Sequence, residues 1–145
     1  MNSILLIEDN PNDEALVSIA LKRQPVPLEL VVARDGQEGL KFLLDAECRA
    51  DSQFDGLPSF VLLDLKLPKM DGLEVLSRIR EQPNIRAVPV VIWSSSCEIA
   101  DLKRAYRLGA NSYIQKPTQF EEFSSAVHEL TSYWLKLNRS PSSIT

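Results

Sequence analysis

At 145 residues, 44% hydrophobic and 25% charged, the chain has the size and balance of one globular domain with a single sizeable core. A net charge of −4 and a pI near 5.0 supply no basic field, so neither nucleic acid nor an anionic membrane surface is expected as a partner. Cys48 and Cys97 form no C-x-x-C pair, no apolar run approaches the roughly 20 residues that cross a bilayer, and no signal peptide precedes SILLIED; a soluble, reducing, cytoplasmic setting follows.

Ile4–Ile7 is the first apolar run of strand length. Asn10-Pro11 then places a capping side chain ahead of a proline at the first helical position, and Leu16, Ile19 and Ala20 mark the inner face of a helix that Pro25 ends. Leu28–Ala33 is the second strand, followed by the capping box Asp35-Gly36-Gln37-Glu38 and a stripe of Leu40, Leu43 and Leu44. The polar segment Glu47–Pro58 reads as a surface loop. Phe60–Leu63 is the third strand; Asp71-Gly72-Leu73-Glu74 caps a helix with its stripe at Leu73, Leu76 and Ile79, ended by Pro83. Val88–Trp93 forms the fourth strand, Gly109 stops the fourth helix, and Ser112–Gln115 forms the fifth strand.

The last helix carries Phe120, Phe123, Val127, Leu130, Trp134 and Leu137 at three- and four-residue spacing. A length of about 18 to 20 residues, roughly 30 Å, exceeds what covering the sheet requires. Its distal residues Tyr133, Trp134 and Leu137 are therefore expected to protrude as a protein interface. One domain over residues 1–138 is expected, with 139–145 a poorly ordered tail. Near-continuous apolar strands alternating with helices define an α/β fold with a doubly wound, five-stranded parallel sheet.

Parallel strands place their carboxyl ends on one edge, where ligands bind in open α/β folds. There the sequence gathers Glu8 and Asp9 after strand one, Asp64 after strand three, Ser94 and Ser95 at the end of strand four, and Lys116 after strand five. Crowded carboxylates repel one another unless a cation offsets their charge. Mg2+ suits such a site because it takes oxygen ligands and keeps several waters; Mn2+ or Ca2+ can substitute. Lys116 and Ser94 then offer a charge and a hydroxyl to phosphoryl oxygens, and an aspartate facing the metal can itself be the nucleophile, forming an acyl phosphate.

These residues stand in LLIEDN, VLLDLKLPKMDG, PVVIWSS and YIQKP, and the chain resembles the receiver domain of response regulators, chemotaxis-regulator-like, over about residues 3 to 137. The resemblance implies a flavodoxin-like fold with five helices and sheet order 2-1-3-4-5. It also implies phosphorylation of Asp64 by a sensor histidine kinase with Mg2+, held by Glu8, Asp9, Asp64 and the backbone carbonyl of Lys66. Ser94 and Tyr113 are the switch pair it implies, and Lys116–Pro117 a cis peptide. EDNPNDEALVSIALK, the insertion before strand three and SYWLKL are similar to the stand-alone regulators paired with cyanobacterial phytochromes. That closer match implies a phytochrome as the kinase and a homodimer through helix four, strand five and helix five. With no output module following, the signal is expected to leave through protein contacts, either as a terminal regulator or as an intermediate in a relay.

A haloacid-dehalogenase-like phosphatase needs a second aspartate two residues after the first, where Lys66 stands. A phosphorylation-independent adaptor would not need the intact acceptor, metal, hydroxyl and lysine positions, yet it remains the alternative from another class. His128 reads as a solvated helix residue rather than a phosphohistidine, Cys97 as a plain residue near the start of helix four, and Cys48 as incidental. Trp93 reads as core volume, and Lys66 lies at the mouth of the site, where its side chain could influence hydrolytic water.

Overall fold

The structure, a computed structural model, describes residues 2–25, 27–46 and 56–139. Its elements are β1 (Asn2–Ile7), α1 (Pro11–Lys22), β2 (Leu28–Ala33), α2 (Gly36–Leu44), β3 (Phe60–Leu63), α3 (Gly72–Glu81), β4 (Val90–Ser94), α4 (Ile99–Arg107), β5 (Ser112–Gln115) and α5 (Phe120–Ser132), with a π-helical turn at Tyr133–Leu137. The five strands are parallel in the order β2-β1-β3-β4-β5. Most of the surface loop expected at Glu47–Pro58, Cys48 within it, and the tail from Ser140 onward lie outside the described residues.

Although the inner strands are mostly apolar, their side chains alternate between two cores. Leu5, Ile7, Val61, Leu63, Val90 and Ile92 pack with residues of α2, α3 and α4. Ile4, Leu6, Phe60, Leu62, Val91 and Trp93 pack instead with residues of α1 and α5. Trp93 is fully buried, edge-on to Phe123 at 5.1 Å, so it does fill core volume.

Helix starts follow their capping chemistry. Asn10 accepts from the N–H groups of Asn12 and Asp13 with Pro11 at the first helical position, Asp35 accepts from Glu38, and Asp71 accepts from Glu74. Two stripes differ from expectation. In α1 the buried face is Val17, Ala20 and Leu21, while Ile19 is 45% exposed; in α2 it is Gly36, Gly39, Leu40 and Leu43, while Leu44 is 49% exposed. In each case the i, i+3, i+4 geometry selects the contiguous set and leaves one apolar neighbour outside it. Strand β4 begins at Val90 rather than Val88: Pro89 has no N–H to donate to a ladder, although its carbonyl accepts from Val61.

Gly109 ends α4 in the left-handed region, φ +103°, with the Gly109 N–H bonded to the Tyr106 carbonyl and the Ala110 N–H to that of Ala105. At the far end of α5 the extra residue of the π turn, closed by Asn138 N–H on the Tyr133 carbonyl at 2.7 Å, alters the facing of the last residues. Trp134 consequently does not protrude as expected. It turns inward, its ring 6.3 Å from Phe60, whereas Tyr133 and Leu137 are 48% and 72% exposed. No helix among the described residues is long and apolar enough to cross a membrane.

Candidate functional site

Strand register assembles the site. Ile7 pairs with both Ala33 and Leu63, Leu63 with Ile92, and Ser94 with Gln115, so Glu8, Asp64, Ser94 and Lys116 reach one edge together. The ladder continues one step past the strands: Asp64 N–H donates to the Ile7 carbonyl and Lys116 N–H to that of Ser94. Ser94 thus ends its strand, while Glu8, Asp64 and Lys116 each directly follow one.

After Asp64 the chain folds back over its own backbone. Gly72 N–H donates to the Leu65 carbonyl at 2.8 Å, and a Cβ at Gly72 would collide with the Asp64 carbonyl oxygen, so only glycine admits this close approach. Lys69, with φ +68°, makes the left-handed turn that this path needs. Lys66 is exposed at the mouth, and its N–H points at Asp64 Oδ1 from 3.4 Å.

Lys116 is the centre of the charge arrangement. Its ammonium lies 2.5 Å from Glu8 Oε1, 2.8 Å from Asp13 Oδ2 and 3.3 Å from Asp64 Oδ2, with only 9% of its side chain exposed. Burial alone would lower its pKa, but hydrogen bonds to Asp13 and Glu8 and the charges of Asp64 and Glu8 push it above the ordinary lysine range. Glu8, 1% exposed, is pushed up to about 8, chiefly by burial and then by Asp64, with Lys116 offsetting only part of the effect. One ammonium facing three carboxylates, with Asp9 adjacent, leaves the cluster with excess negative charge, and a retained proton partly relieves it.

Glu8, Asp9 and Asp64 each offer an oxygen within 4.8 Å of the others, and Glu8 Oε2 is buried with no hydrogen-bond partner among the described residues. An all-oxygen set with one unsatisfied buried acceptor fits a hard divalent ion. Asp13 was not among the residues singled out from sequence, where it reads as an ordinary acidic residue in the first turn of a helix.

Ser94 is fully buried, and its Oγ accepts the Ser96 N–H at 3.1 Å. Tyr113 donates its hydroxyl to the Ser96 carbonyl at 3.1 Å, and burial raises its pKa. Ser95, by contrast, faces solvent. The Lys116–Pro117 peptide is trans, as is every other peptide bond among the described residues, contrary to expectation. Trans is the lower-energy isomer of an X–Pro bond by about 0.5–1 kcal/mol, and Lys116 reaches all three carboxylates with it.

Outside this edge, His128 is exposed on α5, with Nδ1 2.8 Å from Gln24 Oε1, and Cys97 is exposed two residues ahead of α4. An open groove of about 510 Å³ lies between β5 and α5, lined by Ser112, Ile114, Ala126, Leu130, Tyr133 and Trp134.

A five-stranded doubly wound sheet with acidic residues, a hydroxyl and a lysine at its carboxyl edge defines a receiver fold. The chain matches the response regulator receiver domain over residues 4–128 and belongs to that family. It is 44% identical over 138 residues to the probable methanogenesis regulatory protein FilR2 of Methanothrix harundinacea, covering 95% of this chain and 86% of that one. It is also similar to the response regulator Rcp1 of Synechocystis, 35% identical over 133 residues, 92% of this chain and 88% of the relative. The Mn2+-bound crystal structure of Rcp1 superposes with a TM-score of 0.86 at 33% identity, covering 98% of this chain and 100% of that one. The phosphorylated cyanobacterial phytochrome response regulator RcpA superposes with a TM-score of 0.88 at 36% identity, covering 97% and 99%.

Proposed function

We propose that this chain is a cytoplasmic response regulator of a two-component phosphorelay, with Asp64 as the phosphoacceptor. The observation that carries the reading is Lys116 beside Asp64, at the edge where Glu8, Asp9 and Asp64 bring three carboxylates together. In the reaction, an Asp64 carboxylate oxygen attacks phosphorus of the kinase phosphohistidine. The P–N bond breaks, its electron pair returns to the imidazole, and the imidazole takes up a proton. Lys116 offers positive charge to the phosphoryl oxygens, and Ser94 Oγ becomes a donor to one of them by turning away from the Ser96 N–H. A divalent ion, Mg2+ by preference, bound by Glu8, Asp9, Asp64 and the Lys66 carbonyl, would offset the negative charge gathered there.

Signalling follows as a population shift. Turning of Ser94 frees the Ser96 N–H, and the segment after β4, to which Tyr113 is also bonded, changes position. The face affected is made by α4, β5 and α5, where Ile99, Leu102, Tyr106, Tyr133 and Leu137 are exposed. We assign homodimerisation and partner binding to that face, with the groove between β5 and α5 beside it. Likeness to Rcp1 and RcpA supports a phytochrome-type sensor histidine kinase as donor.

The test is incubation with acetyl phosphate and Mg2+. The wild type is expected to acquire an acid-stable, hydroxylamine-labile phosphoryl group that Asp64→Asn does not acquire. An unmodified wild type, or equal modification of both proteins, would overturn the reading. Phosphotransfer from a bilin-loaded phytochrome kinase, set against kinases with other sensor domains, tests the assignment of the donor.

A further inference from the structure

Lys116 is bonded to one carboxylate that the phosphoacceptor reading leaves without a role. An ammonium has three N–H donors, and here Glu8, Asp13 and Asp64 take them. Glu8 and Asp64 also belong to the oxygen set suited to a divalent ion, whereas Asp13 does not. A cation drawn to Glu8 and Asp64 competes with Lys116 for two of its three partners, and a phosphoryl group on Asp64 alters one of them. Asp13 is the one partner that neither event engages.

Its position is fixed independently of the strand ends. Asp13 sits in the first turn of α1, where Asn10 Oδ1 accepts from the Asn12 and Asp13 N–H groups and Pro11 sets the backbone. α1 in turn packs on α5 and the β1 side of the sheet through Val17, Ala20 and Leu21. The Asp13 carboxylate is 25% exposed against 9% for the lysine side chain, so it stands at the outer end of the pair, away from the most buried acid, Glu8.

We propose that Asp13 anchors the ammonium of Lys116 while its contacts to Glu8 and Asp64 are exchanged for contacts to phosphoryl oxygens. Asp13 is then a positioning residue for phosphotransfer. It keeps the lysine out of the cation's place and within reach of the incoming phosphoryl group. Without it, Lys116 settles on Glu8 and Asp64 alone, competes with the divalent ion, and must reorganise when phosphorus arrives. The inference rests on the phosphoacceptor reading for its second half, but its metal half stands without that reading.

The experiment is a double-mutant cycle of Asp13→Asn and Lys116→Met with two readouts: the affinity for Mn2+ by calorimetry, and the phosphorylation rate with acetyl phosphate at saturating Mn2+. Asp13→Asn is expected to weaken Mn2+ binding about tenfold and to slow phosphorylation by a similar factor, the scale of one charge-assisted contact. Asp13→Glu is expected to recover part of both. In the Lys116→Met background, Asp13→Asn should change Mn2+ affinity less than about twofold, because the group it acts through is gone. An effect of equal size in both backgrounds would overturn the anchor, since a structural or general charge role does not depend on the lysine. No effect of Asp13→Asn in a wild-type background would overturn it too. A wild type that binds Mn2+ with the predicted coupling but takes no phosphoryl group refutes the phosphoacceptor reading and leaves the metal half supported.

Discussion

Tyr113 and Ser94 are tied to the same residue: the tyrosine hydroxyl donates to the Ser96 carbonyl and the Ser94 Oγ accepts the Ser96 N–H, each at 3.1 Å. Ser96 Oγ also donates to Asp101 Oδ2 at 2.8 Å, so the same residue reaches α4. Ser94, Tyr113 and the start of α4 are thus linked through the single residue Ser96.

Tyr113→Phe removes one leg of that tie. The expected cost is about 1 kcal/mol in urea denaturation, the net worth of one hydrogen bond. Amide exchange at residues 95–98 should rise, because the Ser96 carbonyl loses a partner. The phosphorylation rate with acetyl phosphate should stay within about twofold, since the tyrosine touches none of the carboxylates. A large fall in that rate would place Tyr113 in the chemistry instead of downstream of it.

The pH dependence follows from Glu8. Its folded pKa, raised from 4.5 to about 8, means that the folded protein binds a proton there more tightly than the unfolded chain does. The stability this contributes is fully present below pH 4.5 and is lost as pH rises through 8. Metal-free protein should therefore lose stability across that window, and Mn2+ should restore it most at the alkaline end. Mn2+ affinity should climb with pH up to about 8, by at most about tenfold per unit, because one proton is displaced. Glu8→Gln is expected to flatten both curves; unchanged slopes in that variant would assign the proton elsewhere in the cluster.

Much of this was legible in the sequence because it is local. Apolar runs named three of the five strands without error and the other two, β1 and β4, within two residues at each end, and Asn10, Asp35 and Asp71 cap the helices they precede. Glu8, Asp64, Ser94 and Lys116 could be brought together because each stands at a strand end and parallel strands share an edge. What escaped notice depends on distant partners. Asp13 meets a lysine 103 residues away, and first-turn acids are common on any helix. Ser96 gains its role from Tyr113, while the sequence drew attention to the exposed Ser95. The π turn at Tyr133 interrupts the three- and four-residue spacing that read as one long helix, and Lys116–Pro117 is trans although the resemblance implied cis.

Arg80 is the clearest case of a role invisible in sequence, and it supports a stability prediction. Its guanidinium donates to the carbonyls of Gly109, Arg86 and Val88 and to Asn111 Oδ1, at 2.8–2.9 Å. The same Asn111 oxygen accepts the Val90 N–H, so one side chain joins the end of α3 to the starts of β4 and β5. Arg80→Met should cost about 3 kcal/mol in urea denaturation, because several acceptors lose charge-assisted donors at once. Arg80→Lys should recover less than half of it, since a single ammonium cannot fork towards four acceptors. Mn2+ affinity should be unchanged in both, as the clamp lies at the opposite edge of the sheet from the carboxylates.

The end of the last helix separates packing from association. Trp134 is held by Phe60 at 6.3 Å and by Tyr133 edge-on at 4.8 Å, while Leu137, three residues on, is 72% exposed. Trp134→Ala should therefore destabilise the fold by about 2 kcal/mol, less than a fully buried tryptophan would, because the residue is only half-buried. Leu137→Glu should leave stability within about 0.5 kcal/mol, as surface changes do. If the face of α4, β5 and α5 pairs two copies, the same Leu137→Glu should shift sedimentation towards monomer at concentrations where the wild type is a dimer. A dimer that survives this substitution and Tyr133→Glu together would move the interface away from the helix end. Destabilisation by Trp134→Ala without dissociation of the folded fraction would leave that residue a role in the core alone.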